Sequence, residues 1–431
     1  MDKLTILYDI SIILMGEINN SNRTGIYFCA DSILREMLKR QDINILLYAR
    51  PIVSSLAEEY AEKKIGIGGK NIVTSSNIDI IISKLWTKIE KIRFKKKSNK
   101  IVYYSLCAFK TILERIAVLE EKRKIKINES DYVFFSPMEQ APDFLCKNSA
   151  IKKCIIVHDV ITYIFPEYFP RFKSKLNNHW LKKVVEKKVV NVRYFANSEY
   201  TKSDFVKISN YASNENVDCI YHACRDFFSE TGEKDIINIR TKYGIPMDKK
   251  YVFSLCSIEP RKNLPRILKT FFEFVEKNNI EDLVFVLGGT TWNSFEKTFS
   301  SEMDGIKRNS DKLIKIGYVD DEDLCALYSG AYWFVYTSQY EGFGVPPLEA
   351  ANCGCPIIVS DSSSIPEVIG DAGVYVKWDS DEEHIKAYEK YYFDNEYRIT
   401  MGKKGKEQAR KYSWEKTTDS IINTIKSYDS F

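Results

Sequence analysis

The sequence predicts an α/β protein with two doubly wound parallel sheets. Three observations carry this. At 431 residues the chain is too long for one ordinary core, so two domains are expected. In the second half, short continuous apolar runs alternate with helical spacing, the pattern of strands buried on both faces between crossover helices. The first half has the same rhythm, less sharply, and a polar stretch with a Gly and a Pro near 230–250 separates the two.

In the first half, LTILYDISI, INILLYA (43–49), YVFFSP (132–137), CIIVHDV (154–160) and YFANS (194–198) are strand candidates. The N-terminal apolar stretch carries Asp2 and Asp9 and is followed by no small-residue cleavage site, so it reads as a first buried strand, not a signal peptide. In the second half, YVFSLCSI (251–258), DLVFVLGG (282–289), LIKIGYV (313–319), WFVYTS (333–338) and PIIVS (356–360) are strands. Between them lie helices at Asn263 to Glu276, at DEDLCALYSGA (321–331) with its acidic start, and at PLEAANCG (347–354), ended by Gly354. These readings divide the chain into 1–235, 245–412 and a C-terminal helix at 413–431, from about Trp414, free to pack back on the first domain.

Composition removes several classes of function. Hydrophobic content of 44% and charged content of 28% are ordinary for a soluble globular protein, and no apolar run reaches the roughly 18 residues of a spanning helix. A net charge of +4 gives no footprint for nucleic acid. The ten cysteines are scattered without a CxxC pair, as expected of buried thiols in a reducing compartment. Four histidines with no clustered Cys/His spacing argue against a structural zinc site. Charge is uneven in one place. Residues 84–100, KLWTKIEKIRFKKKSNK, set eight cations against Glu90. Ile81, Ile82, Leu85, Trp86, Ile89, Ile92 and Phe94 recur beside them at helix-like spacing. That pattern fits a helix lying on an anionic membrane face, and equally a core-facing helix with a solvated basic side.

The stretch YEGFGVPPLEA (340–350) follows the end of a predicted strand, where doubly wound sheets bind ligands. Gly342 and Gly344 permit a sharp turn and a close backbone approach, and Pro346 or Pro347 suits a helix start. The N–H groups of Phe343, Gly344 and Val345 would then face an anion such as a phosphate. Glu349, one turn in, suits a neutral diol such as ribose, and Glu341 a second hydroxylated group. Ordinary helix capping by acidic residues explains the same stretch with no ligand. IEPRKN (258–263) ends another strand and offers Arg261 and Lys262 to a diphosphate, or simply to solvent. The loop SDSSSIPEVIGDAG (360–373) either closes over a ligand or is a plain turn.

Glu341 and Glu349, with seven residues between, form the E-x7-E motif of retaining glycosyltransferases. SIEPRKN, LGG (287–289), GYV (317–319), SQYEGFGVPPLEA, GCPIIVSDSSSIPEVIGDAG and YSWEK (412–416) follow in order, so the second domain resembles glycosyltransferase family 4, with its GT-B fold of two Rossmann-like domains facing across a cleft. The first domain resembles the family more loosely. RTGI (23–26) with Gly25 is similar to its glycine loop, HDV (158–160) followed by PEYFP (166–170) to its His-Asp loop, and ANSEYTKSDF (196–205) to its serine loop and helix. The family's usual arginine five residues before the phosphate lysine is here Ser257, with Arg261 directly beside Lys262, as in the EPRKN subgroup associated with mannosyl- and rhamnosyl-type transfer.

The resemblance implies retaining transfer of a hexose from a GDP-, UDP- or dTDP-linked donor, GDP-mannose first, to a hydroxyl of a glycan or polyprenyl-diphosphate-linked acceptor. It implies that Arg261 and Lys262 neutralise the diphosphate, that the 342–345 turn, Ser257 and Gly25 line the nucleotide sugar, and that Glu349 holds ribose. Glu341 would hold the donor sugar, and His158 or Asp159 would orient hydroxyls from the facing domain, although His158 also reads as a core histidine. No cofactor and no metal are expected. Asp379-Ser380-Asp381, a metal signature in another transferase fold, reads here as an acidic helix start. The expected setting is the cytoplasm, on or near the inner membrane face. An epimerase of the same fold, or a non-catalytic partner subunit, are the competing readings.

Overall fold

The structure, a computed structural model, describes residues 3–18, 23, 25–67, 71–72, 77–93, six positions between 105 and 116, 132–139, 141–169, 180–289 and 310–428. Thr24, Pro170 and residues 94–100 of the basic run lie outside the described residues.

The first sheet comprises β1 (Leu4–Asp9), β2 (Ile43–Tyr48), β3 (Val133–Ser136), β4 (Lys152–Val157), β5 (Val192–Ala196) and β6 (Val217–Cys219), in the order β2-β1-β3-β4-β5-β6. The second comprises β7 (Lys250–Leu255), β8 (Leu283–Gly288), β9 (Leu313–Gly317), β10 (Trp333–Tyr336), β11 (Ile357–Ser360) and β12 (Gly373–Val376), in the order β12-β11-β10-β7-β8-β9. Every pairing is parallel. All residues of β3, β8, β10 and β11 are buried, as strands covered by helices on both faces must be.

Strand order decides where a ligand can sit. In the second sheet the order reverses between β7 and β10, which pair directly. The loops leaving their carboxyl ends, 256–263 and 337–344, therefore diverge over one crevice. Helices α1 (Ser11–Ile18), α2 (Gly25–Leu38) and α3 (Asn77–Arg93) belong to the first half, with α4 (Ile161–Ile164) and α5 (Glu199–Ile208) following β4 and β5. In the second half α6 (Glu233–Tyr243), α7 (Leu264–Lys277), α8 (Asp321–Gly330), α9 (Val345–Asn352), α10 (Ile365–Ile369), α11 (Asp381–Phe393) and α12 (Asn395–Ala409) follow, and α13 (Trp414–Lys426) closes the chain.

Two elements differ from the sequence reading. LTILYDISI is not one strand: β1 stops at Asp9, whose Oδ1 accepts the Ser11 N–H at 2.9 Å, and the apolar residues beyond form α1. A short apolar run cannot by periodicity alone be told from a buried helix. The polar segment near 230–250 contains α6, which packs on the second domain through Ile239. Core membership changes further upstream: Ile220 and Ala223 lie in the first domain's core, Cys224 and Phe228 in the second's. The chain crosses back near its end, where Ala409 lies in the second core while Trp414, Ile421, Ile422 and Ile425 of α13 lie in the first. α13 begins where Ser413 accepts the Lys416 N–H, a helix N-cap.

In α3, Ile82, Trp86 and Ile89 are buried, while Ile81, Lys84, Leu85 and Lys88 are exposed. The i, i+4, i+7 stripe therefore faces the protein. Ser380 caps α11, and Asp381 pairs with Arg266 and Lys269, so the Asp-Ser-Asp pattern is an acidic helix start held by cations.

Candidate active site

The IEPRKN loop is built by its own residues. Pro260 opens a 3-10 turn over Pro260–Lys262, and Asn263 ends it at φ 59, a left-handed conformation that asparagine tolerates. Asn263 Nδ2 donates to Trp378 O at 2.6 Å and Thr337 O at 3.2 Å, which ties the turn to the β10 loop. Arg261 and Lys262 are thereby turned toward Glu341.

Glu341 Oε1 lies 2.6 Å from Lys262 Nζ and 3.0 Å from Arg261 Nη1, and accepts the Tyr336 hydroxyl at 2.8 Å. Lys262 Nζ also donates to Tyr336 Oη at 2.5 Å. Arg261 Nη1 donates to Tyr340 O at 2.9 Å, and its Nε to the more exposed Glu259 at 2.8 Å. Burial alone would raise the Glu341 carboxyl, but Lys262 and then Arg261 overcome it and hold the group at about 2. Ser257 hydrogen-bonds Glu259 Oε1 at 2.7 Å, one step from Arg261.

The serine loop is an anchor. Ser363 Oγ accepts the Glu341 N–H at 2.9 Å and Ser364 Oγ donates to Glu341 O at 2.9 Å, while Ser360 Oγ donates to Ser338 O at 2.6 Å. Ser363 takes φ 54 to do this. The loop read as a lid or a plain turn thus fixes the backbone of the candidate catalytic glutamate.

Glu349 is in a different environment. It sits in the first turns of α9, buried, and accepts the Tyr328 hydroxyl at 3.3 Å, with Arg225 Nη2 3.9 Å from its other oxygen. Arg225 is committed elsewhere: it pairs with Asp321 at 2.5 Å and lies over the Phe28, Phe227 and Phe228 rings. Burial outweighs the weak Arg225 attraction and pushes the Glu349 carboxyl up to about 8. Two acids eight positions apart therefore differ: one is a firm carboxylate bound by cations, the other a buried acid short of donors.

The folded protein holds the Glu349 proton between an unfolded value of 4.5 and about 8, so this group's contribution to stability falls as pH rises through that window. At ~1.4 kcal/mol per pH unit the upper bound is ~5 kcal/mol. Glu349→Gln is expected to flatten the fall in unfolding midpoint between pH 5 and 8, measured by calorimetry. A parallel fall in both proteins would exclude Glu349 as its source.

The glycine turn meets the facing domain. Gly344 opens α9 at φ 98. The Gly342 carbonyl accepts Ser198 Oγ at 2.8 Å and Thr201 Oγ1 at 3.1 Å, and a Cβ at 342 would stand 2.3 Å from His158 O and 3.0 Å from Asp159 Cβ. The close approach expected toward a ligand is, at Gly342, an approach to the first domain's backbone. Phe343 is buried against the His222 and Tyr412 rings, at 5.5 and 5.8 Å, and so supplies packing. Gly342→Ala must therefore push the domains apart. Overpacking of this kind costs ~1–3 kcal/mol, expected as a lowered unfolding midpoint. An unchanged midpoint would mean the two loops separate freely.

His158 and Asp159 follow β4. The His158 ring lies 2.8 Å from Pro137 O through Nε2, and its backbone N–H donates to Glu139 Oε1 at 2.5 Å. His158 is buried, as the core reading expected, yet it lines the interdomain seam at Gly342. Asp159 Oδ1 accepts the Ile161 N–H at 3.1 Å and so starts α4. Burial raises the Asp159 carboxyl, Arg261 of the other domain opposes this, and Glu341 adds to it, so the two domains' charges act on one another. Gly25 opens α2, and among the described residues no atom lies within 4 Å of where a Cβ would be, so the ion cluster does not touch it. The sequence reading missed Tyr336, Arg225, Tyr328, Glu139 and the Ser363–Ser364 anchor. Only Arg225 left a signal, in the aromatic-flanked ACRDFF (223–228).

Residues 235–408 match the family described as "Glycosyl transferases group 1". The chain is 27% identical over 298 residues to the O-antigen chain mannosyltransferase B of Escherichia coli, covering 69% of this chain and 74% of that one. It is 26% identical over 277 residues to the serotype-specific mannosyltransferase WbdA of the same species, covering 63% of this chain but 33% of that longer one. Among solved structures, Anabaena HepE in complex with UDP-glucose superposes with a TM-score of 0.64 at 14% identity, over 99% of this chain and 100% of that one. No helix among the described residues is long and apolar enough to cross a membrane. Residues 235–408 are thus similar to the group 1 glycosyl transferases, and the two facing sheets of the chain have the GT-B fold.

Proposed function

We propose that the protein transfers a hexose, mannose from GDP-mannose first, to a hydroxyl of a glycan or lipid-linked oligosaccharide in surface-polysaccharide assembly, with retention at the anomeric carbon. The observation that carries this is the Arg261–Lys262–Glu341 cluster at the β7/β10 switch point, facing His158 and Asp159 of the other domain. Two cations bound through a single carboxylate oxygen are pre-positioned, and a diphosphate entering beside them meets positive charge that needs no reorganisation. Leaving-group charge then rests on Arg261, Lys262 and the first N–H groups of α9, so these groups need no metal to act on the diphosphate.

Glu341 has a double part in this account. One oxygen holds the cations while the carboxylate edge is offered to donor-sugar hydroxyls. Glu349, short of donors in its buried pocket, takes the ribose hydroxyls. Asp159 orients hydroxyls across the seam, beside His158, whose Nε2 is bound to Pro137 O. No carboxylate is assigned as a covalent nucleophile.

The mannose reading is supported by the names of the two E. coli relatives, and a nucleotide-sugar donor by the UDP-glucose in HepE. Peripheral contact with an anionic membrane would use exposed Ile81 and Leu85 beside Lys84 and Lys88. A thermal-shift panel of GDP-mannose, UDP-glucose and dTDP-rhamnose tests the donor. A true donor at 100 times its Kd adds ~2.7 kcal/mol, and the expected responder is GDP-mannose. NMR of the product then reads the anomeric configuration. Donor turnover without any acceptor would favour an epimerase instead.

A further inference from the structure

Folding assembles a cluster that chain spacing does not reveal. Cys29 on α2, His158 after β4 and His222 after β6 each offer one ligand atom, and these atoms lie within 4.8 Å of one another. All three residues are buried, at 2%, 7% and 4% exposure. Cys29 Sγ is 3.4 Å from His222 Nε2, and the two imidazole centroids are 5.2 Å apart.

We infer that Cys29, His158 and His222 form a binding site for a borderline-soft divalent cation, zinc first. Thiolate and imidazole are the ligand types that such an ion selects. A tetrahedral zinc with ordinary bond lengths sets its ligand atoms about 3.3–3.6 Å apart, and the Cys29–His222 pair already has this separation. Closing the His158 gap takes a shift of about 1.5 Å at most, within reach of a ring rotation. His158 has the orienting partner that metal-bound histidines use: a carbonyl only accepts, so Nε2 carries the hydrogen toward Pro137 O and Nδ1 keeps the lone pair. Charge is also compensated. The Cys29 thiolate and the buried Glu139 carboxylate, held against the His158 N–H, together match a dication.

On binding, the thiol gives its proton to solvent and sulfur donates an electron pair to the metal, so about one proton is released per ion. The site lies within the first domain and is separate from the diphosphate cations. It holds His158, whose carbonyl abuts Gly342, and His222, whose ring is covered by Phe343 and Trp414 at 5.5 and 5.6 Å. An ion there clamps the floor of the interdomain seam.

Cobalt(II) is the probe. Titrated into the full chain under reducing conditions, it is expected to give a thiolate-to-cobalt charge-transfer band in the near ultraviolet, saturating at one equivalent and abolished by excess zinc. In Cys29→Ser the band is lost, and in His222→Gln the affinity falls at least tenfold, with metal-free unfolding midpoints compared to establish that both variants fold. A band that survives in Cys29→Ser would assign it to another cysteine and overturn the site. Absence of any band from the wild-type protein would leave Cys29 and His222 as a neutral thiol–imidazole hydrogen bond and equally overturn it.

Discussion

Lys262→Ala is expected to lower kcat by roughly 10²–10³-fold, the effect of removing one pre-positioned donor from a developing anion. Lys262 Nζ lies at the centre of the cluster, bonded to Glu341 at 2.6 Å and Tyr336 at 2.5 Å. Its loss leaves Glu341 to Arg261 alone and lets burial push that carboxyl upward, so the variant loses both the charge and its alignment. Arginine at 262 should restore little, since a planar fork does not replace a compact ammonium held by two oxygens. Steady-state kinetics with saturating donor separates the possibilities. A rise in KM with kcat unchanged would show that Lys262 binds ground and transition states equally.

Glu349→Ala is expected to weaken nucleotide binding by about 10- to 100-fold, since hydrogen bonds to a charged acceptor contribute ~1.5–3 kcal/mol. The wild-type acid is buried, with one 3.3 Å donor from Tyr328 and a guanidinium at 3.9 Å, so a diol supplies what the pocket lacks. The pH window lies above that of an exposed carboxylate, with the same sign. A group held at about 8 in the free protein must lose its proton to accept two hydroxyl hydrogens, so nucleotide affinity should rise as pH increases from 6 to 8. Isothermal titration of GDP and its 2′,3′-dideoxy analogue reads this directly. The wild-type protein should prefer GDP and the variant should not, and equal preference in both would remove Glu349 from the ribose.

Much of this site was legible because it is local. Strand ends, glycines, prolines and the spacing of Glu341 and Glu349 are written in two short segments, 258–263 and 340–350, and Pro260 and Asn263 shape their own turn. What was not legible depends on pairing at a distance. Nothing near Gly342 announces that its partner is the His158 carbonyl, and nothing near Ser363 announces that it holds the Glu341 N–H. Tyr336 read as one more apolar position of β10, yet its hydroxyl links lysine to glutamate. The fold shows the same division. Fully buried strands such as β8 and β10 stood out, whereas β6, three residues long, and β12, mostly half-buried, lack the length or the apolar run that identifies a strand. The Cys29–His158–His222 cluster is the extreme case, since its members come from three separate elements of the first domain.

The central claim is that a diphosphate binds between the glycine turn and the Arg261–Lys262 pair. A crystal structure of the complex with GDP tests it most directly. The account predicts phosphate oxygens within about 3 Å of Arg261 and Lys262 side-chain nitrogens, with the 342–345 backbone alongside and the ribose on Glu349. A nucleotide bound with its diphosphate elsewhere, the Arg261–Lys262–Glu341 cluster untouched, would contradict it.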